Sequence, residues 1–468
     1  MHNDDTLGQE GMSLVSSPPD ATNRVASYIV SAVPGDLPEA VRHEALRAFV
    51  NILGCAIGGS RHEAVEIAWR ALMPFAGASQ ATLIGRETRT DLLTASLINA
   101  LSASVHTYDD THAEAIVHPS APVMAAALAL AERRPVSGRD LLLAFALGVE
   151  TVCRLSKAVS VPPARGSIAW SQSGITGGIG AAVAAGKLLQ LDTPTLCRAI
   201  GIAASQAAGI RVMHGSMCTP MMPAQAAQVG LRAALLAQAG LTSSQRSLEG
   251  RHGFAECFAE KPDLSLLVDD LGERFEILSN TYKPYPCGIV IHPMIDGCLQ
   301  LSAEHALDHR QVEQIRITAN PAALALTDRR HPKGEFEAHV SLQHWTAAAI
   351  VRGQAGVAEC SDACIDDPDI ASLRDRIMAT ADPTIAPDAT DITVLLRNGA
   401  TLVRQVQHCI GSRDRPMTDR ELEVKFTRLA EGSLDANTIR SLIRDCWRLD
   451  TLGNAAELIG SLPRSAKS

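Results

Sequence analysis

Runs of small and aliphatic residues, apolar on every face of the helix they would form, constrain this chain most. Residues 121–130 and 175–189 carry almost no polar side chain. A helix apolar all round has to be buried inside a larger bundle. Aromatic residues are only 3% of the 468 positions. Such small side chains let helix axes approach closely, so a tightly packed helical core is expected.

The helical pattern runs from residue 21 to about residue 270. Leu37-Pro38-Glu39 opens a segment with apolar positions at Val41, Ala45, Phe49, Leu53 and Ile57, one face of a helix. Gly58-Gly59-Ser60 ends it. Ser120 is placed to cap a helix over 122–132, with Pro122 in its first turn. Further helices are predicted over 139–155, 175–189, 194–208 and 221–240. The character changes after Gly272. Phe275-Glu276-Ile277-Leu278 reads as a strand, 289–303 as a helix, and 312–317 as a half-buried strand by alternation. Arg397-Asn398-Gly399-Ala400 between two β-type runs signals a hairpin. The expected fold class is therefore mainly α, a large all-helical domain (21–270) with a smaller α+β lid domain (271–413). A helical tail (414–468) would pack back on the first domain, and 1–20 would be a disordered tail.

A net charge of -9 argues against a nucleic-acid binder, which would carry a basic patch. It leaves room for a local cationic pocket. No run reaches the roughly 18 apolar residues of a membrane span, and no secretion signal opens the chain. The 11 cysteines lack a zinc-site spacing and are read as reduced thiols of a cytoplasmic protein.

Four stretches could carry chemistry. The richest is His106-Thr107-Tyr108-Asp109-Asp110-Thr111-His112, continuing to His118-Pro119-Ser120. Pro119 biases His118 toward an extended backbone at a helix entrance. Free N–H groups there suit a carboxylate, and an imidazole there can move protons near neutral pH. The same cluster also reads as a capping turn, or as partial metal ligands without a recognised partner spacing. The second is Lys283-Pro284-Tyr285-Pro286-Cys287-Gly288, where prolines stiffen the loop carrying Lys283. The third, Gly174 to Gly180, lacks glycine at Val183 and follows no strand. It is read as close helix packing, not a dinucleotide site. The fourth is His214-Gly215-Ser216-Met217, with Arg211 nearby, between two helices.

At these stretches the chain resembles the MmgE/PrpD superfamily, which contains 2-methylcitrate dehydratase, cis-aconitate decarboxylase and iminodisuccinate epimerase. The likeness rests on Asp109-Asp110-Thr111 with Val117-His118-Pro119-Ser120, on Gly177 to Ala182 with Gly186-Lys187, on Ala226 to Leu231 with Leu248-Glu249-Gly250, on Lys283-Pro284-Tyr285-Pro286 with His292, and on Lys425-Phe426. It implies a helical domain and a lid with the site between them, and a homodimer. It also implies a small carboxylate substrate, with no metal and no cofactor. The chain departs from the pattern at Thr107, Ser171 and Thr219, where the family often has Asp, His and Lys. A substrate with fewer carboxylates is the simplest physical reading.

The resulting expectation is a dehydratase-like lyase using proton transfer beside a carboxylate. An epimerase, a cis-aconitate decarboxylase-like enzyme and a non-catalytic carboxylate-binding protein are the alternatives. His118 is the expected acid or base, oriented by Asp109 or Asp110, with Lys283 holding a carboxylate. Thr111, Ser120, Ser171, His214 and Thr219 are the expected substrate-binding residues.

Overall fold

The structure is a computed structural model that describes residue 18 and residues 20–162 and 164–460. The expected tail 1–20 lies outside the described residues except for 18 and 20. The protein is mainly helical, with a smaller α+β part.

The centre of the large core is the helix Gln172–Leu188 packed against Cys218–Gln238, Gly138–Ser160 and Ser120–Arg133. Glycine makes this possible, as the sequence suggests. A methyl at Gly177 would lie 2.9 Å from Pro122 Cγ and 3.2 Å from Ala226 Cβ. One at Gly230 would run into Ala181 Cβ and the Gly178 carbonyl oxygen. The helix Glu39–Gly59 packs on the far side, against Leu92–Ser104 and against Asp419–Ala430 from the end of the chain. One apolar cluster joins residues from Ala21 to Tyr282 with residues from Met417 to Ile459.

A second apolar cluster runs from Tyr285 to Leu396. Its sheet has four strands in the order Thr401–Val406, Thr390–Leu396, Val312–Ala319, Ile377–Ala381. The first two neighbour pairs are antiparallel and the last is parallel. The expected hairpin is present, with Thr401 opposite Leu395. The helices His292–His305 and Leu342–Arg352 pack against each other and against this sheet.

Two local expectations are corrected. Phe275–Leu278 is not a strand; Glu276–Ser279 forms a 3₁₀ turn. The Glu276 and Ile277 N–H groups both donate to Glu150 Oε2. The buried Glu276 carboxylate meets His112, Lys157 and Arg274. Side-chain partners thus replace a sheet ladder. Ser120 does not cap its helix: it is the first helical residue, and Pro119 holds the N-cap position without a side-chain bond.

No helix among the described residues is long and apolar enough to cross a membrane. All 11 cysteines are free thiols. Gly230→Ala is expected to destabilise the protein by about 1–3 kcal/mol through overpacking. A chemical-denaturation midpoint equal to wild type would contradict the close-approach role.

Candidate functional site

The site forms where the chain passes between the two cores. Thr111–His112 pairs antiparallel with Asn280–Thr281, and Lys283 follows directly. That short ladder sets Asp109 beside Lys283. Lys283 is buried at 2% exposure. Its Nζ donates to the Thr107 carbonyl at 2.9 Å and lies 3.5 Å from Asp109 Oδ1. Thr107 has φ +50°, a left-handed conformation that is strained for a β-branched residue. A second buried lysine, Lys425, donates to Asn51 Oδ1, the Tyr108 carbonyl and the Lys283 carbonyl. It also sits 3.9 Å from the centre of the Tyr108 ring. Burial lowers its pKa to about 8.

His118 stands at the entrance of the helix Ser120–Arg133. Its backbone N–H donates to Ser173 Oγ at 2.9 Å. The imidazole Nδ1 is 3.0 Å from the Asp110 carbonyl oxygen and 3.0 Å from Thr111 Oγ1, and 3.7 Å from Asp109 Oδ1. A carbonyl oxygen only accepts, so Nδ1 carries the proton. Nε2 then bears the lone pair. The ring is packed deep among protein atoms, yet 38% of the side chain is open, as on a cleft wall. Burial lowers the His118 pKa to about 4, helped by the Lys283 charge and opposed by Asp109. The ring is therefore neutral at neutral pH, with its lone pair on Nε2 and a basicity below that of a free imidazole.

Asp110 is fully buried, and its Oδ2 accepts from Ser120 Oγ and Asn280 Nδ2, each at 2.6 Å. Burial pushes its carboxyl up to about 6. It fixes the loop, and its carbonyl orients His118. The hydroxyls of Thr111 and Ser120, expected to meet substrate, bond His118 and Asp110 instead. Lys283, expected to hold a substrate carboxylate, points at Asp109 and the Thr107 carbonyl.

The segment across from His118 is pinned by the bridge between Trp170 and Ile210. Ser171 N–H donates to the Gly209 carbonyl, and Arg211 N–H to the Ala169 carbonyl. The Ser171 hydroxyl makes no cap bond. Thr219 Oγ1 donates to the Met213 carbonyl at 3.0 Å, closing the turn that carries Arg211 and His214. Burial and the Arg211 charge lower His214 to about 4. From the second core, Arg329 donates to the His214 carbonyl, its guanidinium lying where a Cβ on Gly215 would be.

A latch joins the two cores beside this loop. Glu335 accepts from His62 Nε2 at 2.8 Å and from His106 Nδ1 at 3.2 Å, and His339 Nε2 lies 3.7 Å away. These groups are close enough to suggest a metal site. His62 Nδ1, however, accepts the Ala64 N–H. Its Nε2 must then carry the proton and has no lone pair to give a cation. Burial opposes charge on Glu335, but the two histidine hydrogen bonds hold its carboxyl well below the usual range.

Asn280, Ser173, Arg329 and His339 also build the site without having been singled out from the sequence. Each meets a partner from a distant segment, His339 Nδ1 lying 3.2 Å from Thr107 Oγ1, and no local pattern marks them.

Two family models match the chain: the MmgE/PrpD N-terminal domain over residues 23–267, and the MmgE/PrpD C-terminal domain over residues 285–449. Among similar proteins is the cis-aconitate decarboxylase of Homo sapiens, 27% identical, with 93% of each chain covered. The enzyme of the same name from Mus musculus is 25% identical over 93% of this chain and 92% of its own. That from Aspergillus terreus is 23% identical over 96% of each.

The charges flanking His118 make opposite predictions for its titration. Lys283→Gln removes a charge that lowers the imidazole pKa, so titration moves up. Asp109→Asn removes one that raises it, so titration moves down. Histidine-selective 15N spectra across a pH series check both. Shifts of the same sign, or none, would contradict the arrangement.

Proposed function

Because the chain belongs to the MmgE/PrpD family, we propose that it is a lyase of small carboxylates whose chemical step is a proton transfer by His118. One observation carries this reading: His118 Nδ1 is anchored on the Asp110 carbonyl, and Nε2 has no hydrogen-bond partner among the described residues on a side chain that is 38% open. Dehydration is the favoured reaction, because the resting imidazole is neutral and ready to accept a proton.

In that step Nε2 takes the proton from the carbon beside a substrate carboxylate. The electron pair moves into the carboxylate as an enediolate, in the positive field of the cleft. It then re-forms as a carbon–carbon double bond while the bond to the β-oxygen breaks. The imidazolium hands its proton to the departing hydroxide, and water leaves. One group carries the proton both ways, so the step balances without a second acid or a co-reactant. The uncharged Ser171 and Thr219, where the family often has His and Lys, favour a substrate with fewer carboxylates than the relatives' name implies.

A second reading is decarboxylation, favoured by the full-length likeness to proteins named cis-aconitate decarboxylase. There the imidazolium would protonate the carbon that loses carbon dioxide.

A panel of hydroxy di- and tricarboxylates plus cis-aconitate, followed by proton NMR, separates the two by product. Loss of water is expected. His118→Ala should lower the rate by about 100- to 10,000-fold, as loss of a general acid–base does, with an unchanged circular dichroism spectrum. Full activity in His118→Ala, or binding of the panel without any turnover, would sink the reading.

A further inference from the structure

If Lys283 is occupied by Asp109 and the Thr107 carbonyl, another cation has to meet the substrate's carboxylate. We propose that Arg211 is that group: its guanidinium binds the carboxylate next to the carbon from which His118 takes a proton. This deepens the lyase reading and rests on it.

Arg211 opens the 3₁₀ turn Arg211–Met213. Its backbone is tied down by the 2.7 Å bond from its N–H to the Ala169 carbonyl and by the Trp170–Ile210 bridge beside it. The side chain is different. Its Nε is buried with no hydrogen-bond partner among the described residues. Among the described residues no carboxylate lies within ion-pair distance of it, whereas Arg154 and Arg86 each have one. Other deeply placed cations have partners: Lys283 meets Asp109, Arg154 meets Glu150, Arg47 meets Glu44 and Arg86 meets Glu66, while Lys425 and Arg374 are held by neutral oxygens. A desolvated guanidinium without an anion is costly, and burial lowers the Arg211 pKa. Such a group is retained where an anion arrives from outside the chain.

The charge of Arg211 also acts on both His118 and His214. An anion bound there would offset it at His118, so binding would make the imidazole a better proton acceptor at the moment it is needed. The planar fork of a guanidinium matches a carboxylate through two parallel N–H bonds. The ligand class is a small carboxylate, with the rest of the molecule toward Nε2.

The test is calorimetric binding of tricarballylate and of succinate, which carry carboxylates but no hydroxyl to eliminate. Wild type, His118→Asn, Arg211→Met and Arg211→Lys are compared. Arg211→Met should bind about 10- to 100-fold more weakly, the range for losing a hydrogen bond to a charged group, and Arg211→Lys should recover part of it. His118→Asn should still bind. Without ligand, Arg211→Met should melt no lower than wild type, because it removes an unmatched, half-buried charge. Unchanged affinity in Arg211→Met would overturn the assignment while leaving the His118 chemistry standing. A lower melting temperature with equal loss of affinity in Arg211→Lys would overturn it as a fold defect. Failure of wild type to bind either ligand would overturn both readings.

Discussion

The Asp109 carboxylate holds the site together. It lies 3.5 Å from Lys283 Nζ and 3.7 Å from His118 Nδ1, linking groups far apart in the sequence. Asp109 and Lys283 meet away from bulk water, where an unmatched charge is expensive, and His118 stands on the open side of the pair. Removing one partner of a buried pair typically costs about 3–5 kcal/mol. Lys425 reinforces the same spot by gripping the Tyr108 and Lys283 carbonyls from the C-terminal helix Asp419–Ala430. The loop carrying Asp109 and His118, the segment carrying Lys283 and the helix carrying Lys425 therefore have to come together before the site is complete. The site is a consequence of the tertiary structure and of no single motif.

The rest of the architecture delivers those pieces. Glycine and alanine let the central helices close up, which fixes the entrances of Ser120–Arg133 and Gln172–Leu188, where His118 and Ser173 meet. Glu335 reaches from the second core to His62 and His106, and Arg329 reaches to His214. These contacts bring the two cores together at the cleft. The chain is acidic overall at -9, yet Lys283, Arg211 and Arg329 lie near His118 and His214. A locally positive cleft in an acidic protein selects anions by position, not by net charge.

Where local chemistry decides structure, the sequence was readable. The hairpin at Asn398-Gly399 obeys a backbone rule that needs no partner, with Gly399 at φ +85°. The glycine run at 174–180 was legible as packing because its spacing fails the nucleotide pattern. His118 and Lys283 were legible as candidate site residues from the prolines beside them. Partners across the fold were not. Thr111 and Ser120 look free to meet a ligand until Asp110 and His118 are seen to take their hydroxyls. Lys283 looks exposed until Asp109 covers it. Phe275–Leu278 has strand composition, but Glu150 captures its N–H groups. Lys425 could be noted only as a family marker. Its three acceptors come from residues 51, 108 and 283, which no window along the chain connects.

A crystal structure with tricarballylate bound tests the central claim most directly. The account predicts a carbon next to a carboxylate within about 3.5 Å of His118 Nε2, the separation of a near-attack arrangement, with Nδ1 still on the Asp110 carbonyl. A ligand seated away from this cleft, or an imidazole turned so that Nε2 bonds the protein, would contradict it.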